Sequence, residues 1–188
     1  MLTIMTELDA VNIMLNAIGS DPINSLPDST DVDVANALRL LEKTSRSIQI
    51  KGWDFNTGTY TLYPNKNDNK ILWDNSIMSY SSQDNNTYVK RGDYLYDMTN
   101  QTDTFDKEII LDVIVAVDYE DLPSVFKTYV AVKAALDFQM RYVADQSVQP
   151  ALQMDVMDAY ADIVEYDINM SDVNMLQLSN IAGVLQRS

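Results

Sequence analysis

The chain has no cysteine and no histidine among its 188 residues, and it carries few cations, 13 basic against 28 acidic side chains. Without cysteine there is no disulfide framework and no thiol nucleophile. Without histidine there is no Cys/His zinc site, and no Ser-His or Cys-His pair to activate a nucleophile. The formal charge of −15 leaves little to drive counterion release from a nucleic acid, so a nucleic-acid reader is not expected. The five glycines, at 19, 52, 58, 92 and 183, stand alone, so no phosphate-cradling loop of the Walker or dinucleotide type can be written. No run approaches the roughly 18 apolar residues of a membrane span. No basic segment precedes an apolar one at the N-terminus, which predicts synthesis and assembly in the cytoplasm of the producing cell, away from a membrane.

What is present is a 46% hydrophobic chain, enough for one sizeable core with a small appended subdomain. Thr6 with Asp9 three residues on forms a capping pair. Leu8, Val11, Leu15 and Ile18 then recur at helical spacing up to Gly19 and Pro22. A second helix starts near Asp31 or Asp33 and carries the stripe Val34, Leu38, Leu41, Thr44, Ile48 until Gly52 ends it; the two helices are expected to pack antiparallel. Asp28, Asp31 and Asp33 resemble the opening of a calcium loop, but the sixth position is Asp33 and the twelfth is Arg39 where that loop needs Gly and Glu. Helix capping explains them better.

From Trp53 to Tyr119 the period falls to two. Tyr60, Leu62, Tyr88, Tyr94 and Tyr96 alternate with polar residues, and turns are expected at 56–58, 64–69, 84–86 and 100–104. Within the apolar strand 108–117, Ile109, Leu111, Val113, Val115 and Val117 share one face. Asp112 interrupts the other face, which should meet water or a partner. Arg91-Gly92-Asp93 spells an adhesion tripeptide, yet its place between Tyr88 and Tyr94 fits a hairpin turn.

Pro123 opens a third helix, with Phe126, Tyr129, Val132, Leu136, Met140 and Val143 on one stripe and Val130, Ala134 and Phe138 off it, as suits a bundle centre or an oligomer contact. A fourth helix runs from Pro150 to about Met170. Met154, Met157, Ala161, Val164 and Ile168 are expected inward, and Asp155, Asp158, Asp162 and Glu165 form an acidic outer face. The fold class is therefore α+β. An antiparallel bundle of about four helices (1–52 and 120–170) holds an inserted antiparallel β subdomain (53–119), and an extended C-terminal tail (171–188) follows.

Pairs such as Asp155 and Asp158, or Asp158 and Asp162, lie one helical turn apart, within reach of the roughly 5 to 9.5 Å that separates the two carboxylates of a glycosidase. A solvated helix face is the simpler reading, since no neighbouring sequence offers the apolar pocket that raises one carboxyl's pKa. No catalytic, cofactor-binding or metal-ligating residue is assigned. Interface roles are assigned to Tyr88, Arg91, Tyr94 and Tyr96, because Tyr and Arg are favoured at interface centres. Trp53 and Phe55 are taken as buried anchors between the helices and the β insertion.

Gly52-Trp53-Asp54-Phe55-Asn56, Tyr88-Val89-Lys90-Arg91-Gly92 with Tyr96-Asp97, and Asp118-Tyr119-Glu120-Asp121-Leu122-Pro123 resemble, in order and spacing, the tail tubular protein A family of short-tailed bacteriophages. Glu7 to Gly19, Asp33 to Leu41, Val117 to Tyr142 and the ending Gly183-Val184-Leu185-Gln186-Arg187 add to the likeness. It is poorer over 65–86 and 145–180. The resemblance implies a structural virion protein of the tail, a head-to-tail adaptor. Its copies would form a twelve-subunit ring between the portal protein and the tail nozzle (tubular protein B), and DNA would cross the lumen without specific binding. A virion-associated polysaccharide hydrolase is the alternative it leaves open, and a monomeric acidic binder of some basic partner is a third reading. Acidity suits a conduit, because a negative wall repels phosphate. The same charge makes neighbouring copies repel within a Debye length of about 8 Å, so apolar burial has to offset it. In the tail, burying Leu176, Leu178, Ile181, Val184 and Leu185 yields roughly 1.5 to 3 kcal/mol each, against an ordering cost of about 1 to 2 kcal/mol per residue. Ile181, Val184 and Leu185 are therefore expected to dock on a neighbour or the portal.

Overall fold

A computed structural model describes residues 5–26, 31–84 and 86–177, with side chains described up to 171. The chain divides into two compact units, the second being Gln49–Val117 and the first comprising what flanks it on both sides.

The helical unit contains α1 (Glu7–Ala17), α2 (Val32–Gln49, of which the last residue belongs to the other unit), a 3-10 turn at Tyr119–Asp121, α3 (Ser124–Tyr142) and α4 (Gln149–Gln177). The expected capping box opens α1. Thr6 Oγ1 accepts from the Asp9 N–H at 3.2 Å, and the Asp9 carboxylate accepts from the Thr6 N–H at 2.9 Å. Asp31 precedes α2, and its carboxylate accepts the Asp33 N–H at 2.8 Å, in keeping with a capping role; Asp28 lies outside the described residues. Val34, Ala37, Leu41, Thr44 and Ile48 are the buried stripe of α2, close to the one expected, with Leu38 only half-buried.

Helix α3 is buried on nearly every side because it packs against both α1 and α4. Its two apolar faces therefore mark a bundle centre. Phe126 meets Tyr166 edge-on at 6.0 Å, and Tyr129 meets Tyr160 at 5.6 Å, so α3 and α4 run in opposite directions. Lys127, buried in this unit, donates from Nζ to the Glu120 carbonyl at 2.6 Å, with the Glu120 carboxylate 3.4 Å away.

Two corrections concern α4. It runs seven residues past the expected stop at Met170, to Gln177, so the first part of the presumed tail has helical backbone. Its inward face is also turned from the expected one. Ala159 and Ile163 are buried and Leu152, Val156 and Tyr166 half-buried; of the residues expected inward only Val164 is half-buried, whereas Met154, Met157, Ala161 and Ile168 are exposed. Both stripes have apolar residues three and four apart, and only the packing against α3 chooses between them.

The β unit holds a three-stranded antiparallel sheet in the order β1-β5-β2, made from β1 (Thr57–Leu62), β2 (Ile77–Ser82) and β5 (Ile109–Val115), and a two-stranded ladder of β3 (Tyr88–Arg91) with β4 (Tyr94–Asp97). Central β5 alternates as expected: Ile109, Leu111 and Val113 are buried, while Ile110 and Asp112 face out. Its core adds Ile71, Trp73, Leu95 and Phe105. Strand β2 and the Ile71–Trp73 segment were not foreseen, and the turn expected at 56–58 ends two residues earlier, at Asn56, with Thr57 and Gly58 inside β1.

Two polar side chains hold the point where the chain enters and leaves this unit. Gln49 donates from Nε2 to the Val117 carbonyl at 2.9 Å and accepts the Val117 N–H at 2.7 Å, so its amide acts as a substitute strand partner. Buried Asn56 donates to the carbonyls of Gln49 (3.0 Å) and Val115 (2.9 Å) and accepts the Trp53 N–H (2.9 Å). Trp53 and Phe55 are each only half-buried. Gly52 sits at φ +76°, a conformation that favours glycine, and a Cβ there would lie 3.0 Å from Ile114 Cδ1, so the space is also tight. Replacing Asn56 with Ala leaves the Trp53 N–H and the Val115 carbonyl without this partner, while the Gln49 carbonyl keeps the Gly52 N–H at 3.0 Å, and should cost about 2 to 4 kcal/mol in urea unfolding. A loss below about 0.5 kcal/mol would show that these bonds do not hold the unit together.

Candidate functional site

The Arg91-Gly92-Asp93 tripeptide is the expected hairpin turn. Arg91 pairs with Tyr94 across a two-residue loop, and Gly92 takes φ +58° at the first loop position, as a type II′ turn requires. The register then sorts the proposed contact residues. Paired residues of an antiparallel ladder share a face, so Tyr88, Leu95 and Asp97 project to one side and Val89, Arg91, Tyr94 and Tyr96 to the other. Tyr88 is 3% exposed and belongs to the core, with its hydroxyl donating to the Asp84 carboxylate at 2.7 Å. Burial, together with that neighbouring carboxylate, pushes its pKa up to about 12. Tyr88 is thus withdrawn from the contact set for a physical reason, since its ring fills the β unit.

On the outer face the Arg91 guanidinium stacks over the Tyr96 ring at 3.6 Å, and Lys70 Nζ stands 5.4 Å from the Tyr94 ring. Lys70 also donates to Asp103 at 2.6 Å. Two rings each carrying a cation make a small patch that holds its long side chains in place before any partner arrives. Behind it, Asp97 is buried. Burial raises its pKa, but N–H donors from Asn100 and Thr99 outweigh that and hold it below the usual range. These bonds fix the turn that follows β4.

The outward face of the three-stranded sheet is a shallow recess of about 400 Å³ floored by Asp112 and small residues of β1 and β2. Asp112 accepts from Thr59 Oγ1 at 2.7 Å and from Gln83 Nε2 at 3.1 Å. This is the solvated side that Asp112 announced. Among the described residues, no three acidic side chains converge as a metal site would need.

In the helical unit, Asp155, Asp158, Asp162 and Glu165 are all exposed on α4, as expected of a solvated face. The residues missed by sequence reasoning are the exposed apolar ones beside them, Met154, Met157 and Ile168, which had been assigned inward. A two-sided apolar pattern was the available signal. Ile181, Val184 and Leu185 lie outside the described residues.

A second concentration of carboxylates lies at the start of α1. The Glu7 N–H donates to Glu120 Oε1 at 2.7 Å, so a side chain 113 residues away caps the helix. Burial raises the Glu7 pKa, and the charges of Glu120, Glu42 and Asp118 raise it further.

A family model of tail tubular proteins matches residues 8–173, nearly the whole described chain and both units. The chain belongs to the tail tubular protein family. It is also 28% identical over 128 residues to the tail tubular protein A of Klebsiella phage KP34, a match covering 68% of each chain. Membership makes this tail tubular protein a structural component of a phage virion tail, assembled with other tail components. Among its described residues no helix is long and apolar enough to cross a membrane.

The Glu7 cluster gives a pH prediction. A carboxyl whose pKa is raised on folding contributes stability that is present below its ordinary value of 4.5 and is lost as pH rises through the raised value. Glu7→Gln should therefore raise the melting temperature at pH 7 and have no effect at pH 3.5 to 4. An equal effect at both pH values would show that ionisation of Glu7 is not the cause.

Proposed function

We propose that this tail tubular protein is a head-to-tail adaptor. Copies close into a ring of twelve between the portal protein and the tail nozzle, tubular protein B, and phage DNA passes through the bore. Family membership supports the tail location. The observation that carries the ring is the outward apolar residues of α4 in a chain of charge −15: Met154 and Met157 are exposed one turn apart, and Ile168 is exposed three turns further along the same side of the helix. Apolar rows of this kind mark protein contacts, and copies with such charge need apolar burial to approach one another.

Within this reading the Arg91, Tyr94 and Tyr96 patch contacts the nozzle or a neighbour, and Ile181, Val184 and Leu185 dock the tail. The role is structural, without catalysis or cofactor. DNA meets a strongly negative protein and slides without adhering. The hydrolase alternative finds no support in the placement of Asp158 and Asp162, which are both exposed on α4.

Electron microscopy of the purified chain, alone and with portal protein, should show closed rings. Particles that stay monomeric in both samples would overturn the proposal, and release of reducing ends from capsule polysaccharide would favour the hydrolase. Arg91→Ala with Tyr94→Ala should leave the melting temperature intact but weaken attachment to the nozzle or to the neighbouring copy by roughly tenfold or more, as loss of an interface Arg and Tyr does. Unchanged attachment would remove this patch from the interface.

A further inference from the structure

The ring reading leaves open which surfaces meet, and two helices of the helical unit supply complementary ones. Helix α4 presents Asp158, Asp162 and Glu165 at i, i+4 and i+7, edged by Met154 (65% exposed), Met157 (71%) and Ile168 (56%). Helix α2 presents Arg39, Lys43 and Arg46, all exposed, at the same i, i+4, i+7 spacing, with Val32 (70% exposed) one repeat earlier. In a chain with 28 acidic and only 13 basic residues, this exposed helix face carries three cations against one carboxylate, Glu42, a local excess of positive charge.

We infer that α4 of one copy docks on α2 of the next, a head-to-tail contact that rests on the ring reading and names its interface. The occupant of the α4 face is thus a second copy of this chain. Three features support it. Each triad spans seven residues, about 10.5 Å of helix rise, so the charges can be matched with the helices running in either direction to within one residue, about 1.5 Å. The aliphatic stems of Arg39 and Lys43 are long enough to lie over Met154 and Met157 while their charged ends reach carboxylates, so apolar burial and ion pairing come from the same side chains. Arg46 pairs within its own helix with Glu42 at 3.0 Å, an exposed i, i+4 pair of the kind that contributes little. Because the two patches differ, the contact is heterologous, and a heterologous contact closes into a ring when its rotation permits. It also answers the repulsion expected between copies of charge −15, since at short range the facing groups attract.

Charge reversal tests this. One variant carries Asp158→Lys and Asp162→Lys, the other Arg39→Glu and Lys43→Glu; all four sites are exposed, and circular dichroism confirms that each folds. In sedimentation velocity and electron microscopy, each variant alone should assemble on the order of a hundredfold more weakly than wild type, because like charges then face each other at every contact. An equimolar mixture should regain rings in which the two variants alternate, and so should a single chain with all four substitutions. Rings that form undisturbed by either reversal, or variants that neither mixing nor combination rescues, would overturn this interface while leaving the ring itself standing. Self-assembly left intact with loss of portal attachment would assign the α4 face to another protein and likewise overturn the inference. Wild-type chain that forms no ring, alone or on portal, would refute the adaptor reading, and this one with it.

Discussion

The β unit depends on how main-chain hydrogen bonds are completed at its base. A buried N–H or C=O without a partner costs as much as a lost hydrogen bond, and an insertion bounded by two chain crossings concentrates such groups where the strands stop. Gln49 supplies both partners that Val117 lacks, and Asn56 bridges the carbonyls of Gln49 and Val115 while accepting from Trp53. A flat aromatic ring cannot do this. The Gly52-Trp53-Asp54-Phe55-Asn56 motif is therefore distinctive less for its aromatics than for the residues at its ends, a glycine with φ +76° and an asparagine whose three polar contacts are all used.

With its base closed in this way, the β unit builds its own core around Ile71, Trp73, Tyr88, Leu95, Phe105 and the inner face of β5. Its surface is then free to vary. The same two-residue hairpin that puts Tyr88 into this core puts Tyr94, Tyr96 and Arg91 on the outside, where each ring is paired with a cation. The helical unit follows a parallel logic, in which α3 is consumed by packing against α1 and α4, and the surface left on α4 is both apolar and acidic. Acidity keeps such a surface soluble until a partner with complementary charge covers it.

Much of this was legible in the sequence because some patterns have one physical solution. Thr6 with Asp9 can be read as a capping box, Arg91-Gly92-Asp93 as a turn, and the alternation through Ile109 to Val113 as a half-buried strand, since each is settled by local geometry. Strand β2 was hidden because Ile77 to Ser82 shows little apolar alternation; Ser79, Ser81 and Ser82 lie in it, and pairing with β5 rather than its own composition makes it a strand. Ile71 and Trp73 were missed for a similar reason, as they belong to a loop segment fixed by bonds to Leu95 and Asp93 rather than to a regular element.

The sequence by itself determined the α+β class, the absence of thiol and imidazole side chains, and the negative charge. The tertiary structure alone decided which of two equivalent apolar stripes on α4 is buried, and which tyrosines of the β3–β4 hairpin remain outside. The reason is the same in both cases. Periodicity states how residues are spaced around a helix or along a strand, but the choice of inward side belongs to the neighbour that packs there, α3 for the helix and the Ile71–Phe105 core for the hairpin.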